Sequence, residues 1–333
     1  MILIFDIELS SLSCYKLRNG NISKIKRILE SEHFDTIIND IGNIKNVEAI
    51  GYVLYQGGEQ IKEPVTFITP KLVSEIKKSI RFSPEYNGLM YKVINYFTKL
   101  LPKISHLLFC DTAFFVNLPK EASIYALPRQ LSEKGIRRYG GYGLCHQWVW
   151  EKIQSSSGKS VSKLISVYLG NHTNIAAIRE GRPVETSIGF SPVEGVLSAN
   201  SCGDIDPTVV FQLYSSGISF EEINELLSQR SGFTGLLGKR CNYSDLLKKK
   251  SSECSFIRRI LSYNILKYIG AFISILGGVK CIVFSGKNLE KSMGLIREIS
   301  HHLDFLGGTK LSIVSLEYNR WKMINEKIKN LKL

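Results

Sequence analysis

The stretch from Leu107 to His146 constrains the fold of this chain most, because it places one carboxylate directly after an apolar run. Residues 107–110, with the sequence LLFC, have the pattern of a buried strand, and Asp111 follows at once. Open α/β sheets bind their ligands at the carboxyl ends of their strands, so Asp111 is a candidate site residue. An aspartate that only caps the next turn fits the spacing equally well, and both readings stay open.

Similar patterns predict the other elements. Apolar runs predict strands at residues 2–5, 49–55, 165–168 and 281–284, and a hairpin that joins 175–178 to 184–187. Helical patterns cover residues 24–29, 89–101, 264–276 and a Lys-rich tail. The first strand ends at Asp6, and Ser10 and Ser11 follow, which is the order expected of a hairpin whose NH groups and hydroxyls face a phosphate.

The charge balance does not identify a nucleic-acid-binding protein. Lys and Arg number 43 against 30 Asp and Glu, which gives a formal charge of +13. The basic residues are spread along the chain and form no recognisable nucleic-acid-binding motif, so we read the charge as general composition plus attraction for phosphate ligands. No nucleic-acid partner is predicted.

The remaining composition predicts a reduced, cytoplasmic protein. Seven cysteines without a C-x-x-C pair suggest free thiols and no zinc site. The longest apolar region, 268–284, is interrupted by three glycines and a lysine, so we expect a helix, a turn and a strand rather than a membrane span. The amino terminus has no basic leader, which argues against export.

Two blocks of sequence closely resemble the acetate kinase family. The first contains DTAF at 111–114, LP at 118–119, YALP at 125–128, and GIRRYG at 135–140 with Gly143. The second contains LGN at 169–171 and GDIDP at 203–207. Both lie in the family's order, and the resemblance covers most of the chain.

The resemblance implies an α/β fold with two ribonuclease H-like domains, of the acetate-kinase type of actin-like ATPase, and an interdomain cleft. Domain I would comprise residues 1–112 plus 319–333. Domain II would comprise 113–318 and carry nucleotide binding and dimerisation. The expected reaction is ATP- and Mg²⁺-dependent phosphoryl transfer to a short-chain carboxylate, as in acetate plus ATP giving acetyl phosphate plus ADP. The expected assembly is a homodimer.

The resemblance also assigns site residues. Asp111 and Tyr142 take the catalytic positions, and Asp6 and Glu290 would hold the metal. Nucleotide and phosphate contacts fall to Ser10, Ser11, Gly170, Asn171, Gly203, Asp204 and Gly286.

Three positions depart from the family pattern at points that contact the transferring phosphoryl group. Val53 and Ser201 stand where the family has arginines, and Tyr142 stands where it has a histidine. One transition-state arginine in phosphoryl transfer is worth roughly 10³- to 10⁵-fold in rate. Two hypotheses follow: a carboxylate kinase of weak activity, or a catalytically degenerate pseudo-kinase that acts as a nucleotide-binding or partner subunit.

Overall fold

The computed structural model describes residues 1–8, 11–18, 21–28, 34–42, 44–156, 160–287, 289–306 and 311–331. The chain forms two compact units. The first combines Met1–Val116 with Asn319–Leu333, and the second is Asn117–Tyr318. The expected assignment of nucleotide binding and dimerisation to the domain 113–318 stays a prediction.

Strands form two sheets. In chain order they are β1 (Ile2–Glu8), β2 (Ser11–Arg18), β3 (Asn21–Ile28), β4 (Ala49–Leu54), β5 (Val65–Phe67), β6 (Ser105–Cys110), β7 (Lys163–Leu169), β8 (Asn174–Arg179), β9 (Arg182–Thr186), β10 (Cys281–Gly286) and β11 (Ser312–Glu317).

Helices connect and cover the strands. In chain order they are α1 (Asp35–Ile41), α2 (Pro70–Ser79), α3 (Pro84–Leu100), α4 (Lys120–Ser123), α5 (Arg129–Glu133), α6 (Gly143–Ser156), α7 (Pro207–Ser215), α8 (Phe220–Gln229), α9 (Gly232–Leu237), α10 (Tyr243–Lys248), α11 (Ser252–Leu276), α12 (Met293–His301) and α13 (Arg320–Asn330). Short 3-10 helices lie at Ile44–Asn46, Ile80–Phe82, Thr112–Phe115, Leu289–Ser292 and Asp304–Leu306.

The two sheets share one topology. The first has the order β3-β2-β1-β4-β6-β5, and the second has the order β9-β8-β7-β10-β11. Each begins with an antiparallel meander, β1-β2-β3 or β7-β8-β9, and continues with two strands parallel to its first strand, β4 and β6 or β10 and β11. The first sheet has one further strand, β5, which pairs antiparallel with β6. The α/β class is therefore confirmed, as is the hairpin of β8 and β9.

One predicted helix is wrong. Residues 24–29 carry a Lys-rich helical pattern, but residues up to Ile28 form β3, which pairs with β2. Tyr15 lies opposite Lys24 in this ladder, and the Lys24 ammonium lies 5.4 Å from the ring centroid of Tyr15. Strand pairing outweighs the helix propensity of lysine, because propensity is a weak prior where tertiary contacts decide.

Helix α11 is the core helix of the second unit. Its buried side chains recur every three or four residues, which places them on one face against β7 and β8 (Cys254, Ile257, Leu261, Ile265, Ile269, Phe272 and Leu276). By length and composition alone it could also span a membrane. It ends at Leu276, and β10 begins at Cys281, so the predicted helix, turn and strand are confirmed.

Truncating the buried face of α11 should destabilise the protein strongly. Leu261 is fully buried, whereas Tyr263 on the same helix is 66% exposed. We expect Leu261→Ala to lower the free energy of unfolding by about 2–5 kcal/mol, since it leaves a cavity, and Tyr263→Ala to change it by about 0.5 kcal/mol or less. Urea unfolding measures both, and equal losses would contradict the assignment of the buried face.

Candidate functional site

Two aspartates lie together at one edge of the first sheet. Strands β1, β4 and β6 are neighbours and run parallel, so their carboxyl ends meet at that edge. Asp6 lies near the end of β1, and Asp111 follows β6, where its backbone NH donates to the Leu54 carbonyl at 3.0 Å. Both side chains are buried, with 5% and 2% exposure. The structure thus brings the two predicted acids of this unit into one place.

Arg320, which sequence reasoning missed, bridges both carboxylates. Its Nη1 donates to Asp6 Oδ2 at 3.2 Å, and its Nη2 donates to Asp111 Oδ2 at 3.1 Å. One guanidinium fork therefore spans two acids from different strands. Charge-assisted contacts of this kind are the strong ones among protein hydrogen bonds.

Helix α13 fixes the position of Arg320, its first residue. The Asn319 side chain caps the helix by accepting from the NH groups of Trp321 and Lys322, both at 3.1 Å. The Trp321 ring lies against Tyr15 of β2, with 4.1 Å between ring centroids. Further along, the buried Met323, Ile324 and Ile328 hold the helix on the unit. The backbone of Arg320 is therefore anchored at the acid pair.

A small cavity adjoins Asp6. It has a volume of about 20 Å³ and is lined by Asp6, Ile7, Val53, Leu54, Tyr55, Tyr86, Asn87 and Met90. Among the described residues, neither the Tyr55 hydroxyl nor the side-chain oxygen Oδ1 of Asn87 has a hydrogen-bond partner. Burial, and then the negative charge of Asp111, raise the pKa of the Tyr55 phenol well above its usual value. The cavity thus offers a neutral donor and an acceptor to a ligand of the size of a water molecule.

The acid pair does not fit a magnesium site as it stands. Mg²⁺ requires oxygen ligands at about 2.0–2.1 Å in octahedral geometry, and Arg320 already holds one oxygen of each carboxylate. Among the described residues, no group of three or more His, Cys, Asp or Glu side chains could hold a metal. Glu290, the other predicted ligand, is exposed in the 3-10 helix Leu289–Ser292 of the second unit.

The predicted phosphate residues of the first unit fall on a hairpin. Strands β1 and β2 are antiparallel, with Glu8 opposite Ser11. Ser10 lies outside the described residues, and so does the side chain of Ser11. Their phosphate role stays a prediction.

Two predicted glycines lie at one edge of the second sheet. Strands β7 and β10 are parallel, and Gly286, at the end of β10, pairs with Leu169, next to Gly170. A Cβ built on Gly286 would lie 2.3 Å from the Leu169 carbonyl oxygen, so only glycine fits there. Backbone without side chains is what a phosphate needs for close approach, and the nucleotide role of both glycines stays a prediction.

Asn171 and Asp204 hold loops together. The Asn171 Oδ1 accepts from the NH of Tyr243 at 2.9 Å, at the start of α10. Asp204 Oδ1 accepts from the Gly195 NH at 2.9 Å, and Asp204 Oδ2 accepts from the Tyr268 hydroxyl at 2.7 Å. Next to it, Gly203 has a φ of 77°, and an added Cβ would lie 2.6 Å from the Gly195 carbonyl oxygen. These contacts give the loop around Gly203 and Asp204 a structural role.

Tyr142 stacks on another tyrosine of the second unit. Its ring lies 4.5 Å from that of Tyr168, with an interplanar angle of 24°, and Tyr168 meets Tyr318 edge-on at 6.2 Å. Tyr142 has a φ of 56°, an uncommon conformation for a residue with a side chain. Its carbonyl accepts from the NH groups of Cys145 and His146, so this turn begins α6.

The side chains at the two positions that lack arginines are buried. Val53 is buried in β4 with 4% exposure, and Ser201 is buried with 1% exposure. The Ser201 hydroxyl lies 2.6 Å from that of Ser198. Neither side chain supplies a positive charge.

Two histidines of the second unit are neutral at physiological pH. Burial lowers the pKa of His146 to about 4, and its ring nitrogens contact Ser166 and Asn174 at 2.8 and 2.5 Å. Burial also lowers the pKa of His172 to about 4. The neutral His172 therefore brings no charge to bind an anion.

Burial of His146 predicts a loss of stability in acid. Its folded pKa of about 4 lies below the ordinary 6.5, so the unfolded chain binds more protons between these values, and stability falls as the pH drops through that window. The loss from this group amounts to about 3 kcal/mol. We expect His146→Gln to show a shallower decline between pH 6.5 and 4 in urea unfolding, and an unchanged slope would contradict the neutral burial.

The sequence of this chain is similar to those of known acetate kinases. The Acetokinase family matches residues 19–322. The acetate kinase of Halothermothrix orenii is 32% identical over 296 residues, which cover 87% of this chain and 73% of that protein. The acetate kinase of Pasteurella multocida is 34% identical over 303 residues, which cover 86% and 75%.

Solved structures show the same fold. The crystal structure of Porphyromonas gingivalis acetate kinase matches with a TM-score of 0.86 at 24% identity, over 100% of this chain and 99% of that one. Acetate kinase from Entamoeba histolytica also gives 0.86, at 22% identity, over 99% and 98%. The predicted acetate-kinase type of actin-like ATPase fold is therefore confirmed. From the family match and the sequence identities, the chain belongs to the acetate kinase family.

Proposed function

We propose that this chain transfers a phosphoryl group between ATP or ADP and a short-chain carboxylate such as acetate. The observation that carries the proposal is the buried Asp111 at the carboxyl end of β6, beside Asp6 and Arg320, in a chain whose curated relatives are named acetate kinases. The products in one direction are acetyl phosphate and ADP.

Arg320 and the two buried aspartates of the first unit support the proposal. Phosphoryl transfer depends mainly on positioning and on cations near the migrating group. The side chain of Arg320 is 23% exposed, and its guanidinium supplies a positive charge at the strand edge. Asp111 would accept a hydrogen bond from a reacting group or its water, and Asp6 would keep Arg320 in place. Any magnesium would come with the nucleotide phosphates, because Arg320 holds the two carboxylates.

The proposed nucleotide contacts lie in both units. Gly170, Asn171, Gly203, Asp204 and Gly286 remain the proposed contacts of the second unit. The location of Gly170 and Gly286 supports this, since both lie at one edge of the sheet, where the parallel strands β7 and β10 end. Ser10 and Ser11 remain the proposed contacts of the first.

A second candidate is a nucleotide-binding subunit without turnover. It is favoured by the burial of Val53 and Ser201 and by the stacking of Tyr142 on another ring. These are the three positions at which the resemblance places cationic or ionisable groups. In this case Arg320 would be the cation of the acid pair and would serve structure alone.

An acyl phosphate assay tests the proposal. We expect purified protein with ATP, acetate or propionate, and Mg²⁺ to form acyl phosphate that hydroxylamine traps as hydroxamate. Asp111→Asn should lower kcat/KM by about 10²-fold or more, in the range of a lost acid–base or orienting group. Asp304→Asn, which removes an exposed carboxylate, is the matched control and should leave the rate unchanged.

Calorimetric titration with ATP on the same samples separates the two candidates. Binding without hydroxamate formation favours the subunit without turnover. Neither binding nor turnover would overturn both. Turnover that is equal in Asp111→Asn and wild type would overturn the role of Asp111.

We also propose a homodimer in a reducing compartment such as the cytoplasm. All seven cysteines lie among the described residues, and none of them forms a disulfide. The second unit exposes Phe211, Tyr214 and Phe220, with the last two rings stacked at 4.3 Å, and apolar side chains of this kind suit an interface. Sedimentation at micromolar concentration should give a dimer and, for Phe211→Asp, a monomer; a monomeric wild type would contradict this.

A further inference from the structure

The two carboxylates at the edge of the first sheet share a cation that belongs to the chain itself. We propose that Arg320 takes the place of a divalent metal ion between Asp6 and Asp111, so that this pair binds neither Mg²⁺ nor Mn²⁺. The inference concerns the acid pair alone and does not depend on the proposed activity.

The first support is the use of the carboxylate oxygens. Oδ2 of Asp6 and Oδ2 of Asp111 contact the guanidinium, at 3.2 and 3.1 Å. The other oxygen of Asp6, Oδ1, accepts from the Ile7 NH at 2.9 Å. A metal that bound Oδ2 of both acids would have to displace the guanidinium, and a metal on any other oxygen of the pair would lie beside a fixed positive charge.

The second support is burial. Asp6 and Asp111 expose 5% and 2% of their surface, so little water reaches them. Buried carboxylates at close range need a nearby cation, because an uncompensated buried charge is strongly destabilising. Arg320 supplies that cation whenever the unit is folded.

The third support is the location of Arg320 on α13. A cation in the first turn of a helix is unfavourable, since the helix dipole places positive charge there. Carboxylates at two strand ends compensate for this. The Asn319 cap and the contact of Trp321 with Tyr15 fix the turn, so the guanidinium starts from an anchored backbone.

Removal of the guanidinium should turn the acid pair into a metal site. The experiment titrates Mn²⁺ into the nucleotide-free protein and counts bound metal by electron paramagnetic resonance. We expect Arg320→Gln to bind one Mn²⁺ at least about tenfold more tightly than wild type. A factor of about ten is the low end of the effect that one neighbouring charge has on the binding equilibrium of an ion. Lys322→Gln removes an exposed charge from the same helix and should behave as wild type.

A double variant locates the new site. Asp6→Asn combined with Arg320→Gln leaves a single carboxylate, so the gain in Mn²⁺ affinity should disappear. A folded Arg320→Gln protein, checked by circular dichroism, that shows no gain would overturn the proposal. So would a gain that survives in the double variant.

A second comparison uses only proteins that keep Arg320, so it applies even if Arg320→Gln fails to fold. Wild type and Asp111→Asn should bind Mn²⁺ equally weakly, because the acid pair contributes no metal site while Arg320 is present. Wild-type binding that falls about tenfold or more in Asp111→Asn would show a metal at the pair and overturn the proposal.

Discussion

An ionic contact joins residues near the two ends of the sequence to Asp111 at one edge of the first sheet. Arg320 is 314 residues from Asp6 and 209 residues from Asp111, yet it contacts both. Breaking a buried pair by removal of one partner typically costs about 3–5 kcal/mol. The unit therefore includes α13 as a structural requirement, because this helix supplies the guanidinium that contacts both carboxylates at the edge of the sheet.

Local sequence patterns predicted much of this arrangement. The apolar runs before Asp6 and Asp111 became β1 and β6, because a buried strand in a sheet leaves a short continuous apolar signature. The prediction failed at residues 24–29, where the pattern of lysines resembles a helix and only the partner strand β2 decides otherwise. Patterns within one segment cannot report which distant strand completes a ladder.

The contact of Arg320 with the two aspartates could not be predicted from local patterns for the same reason. Residues far apart in sequence share no periodicity, and no motif marked the position. The one local signal was an arginine directly after the helix cap Asn319, where the helix dipole disfavours a cation. Asn171 and Asp204 show the converse limit: sequence reasoning assigned them to phosphate, and the structure adds hydrogen bonds that hold loops, which sequence alone could not separate from a ligand role.

The repeated sheet topology gives one scaffold two different edges. In the first sheet, the edge at the ends of β1 and β6 carries carboxylates; in the second, the ends of β7 and β10 carry Gly170 and Gly286. Glycines let a phosphate approach the backbone, whereas two carboxylates repel one. Arg320 reduces the formal negative charge of the acid pair from two to one and offers hydrogen-bond donors. An anionic substrate is compatible with that edge because the arginine is there.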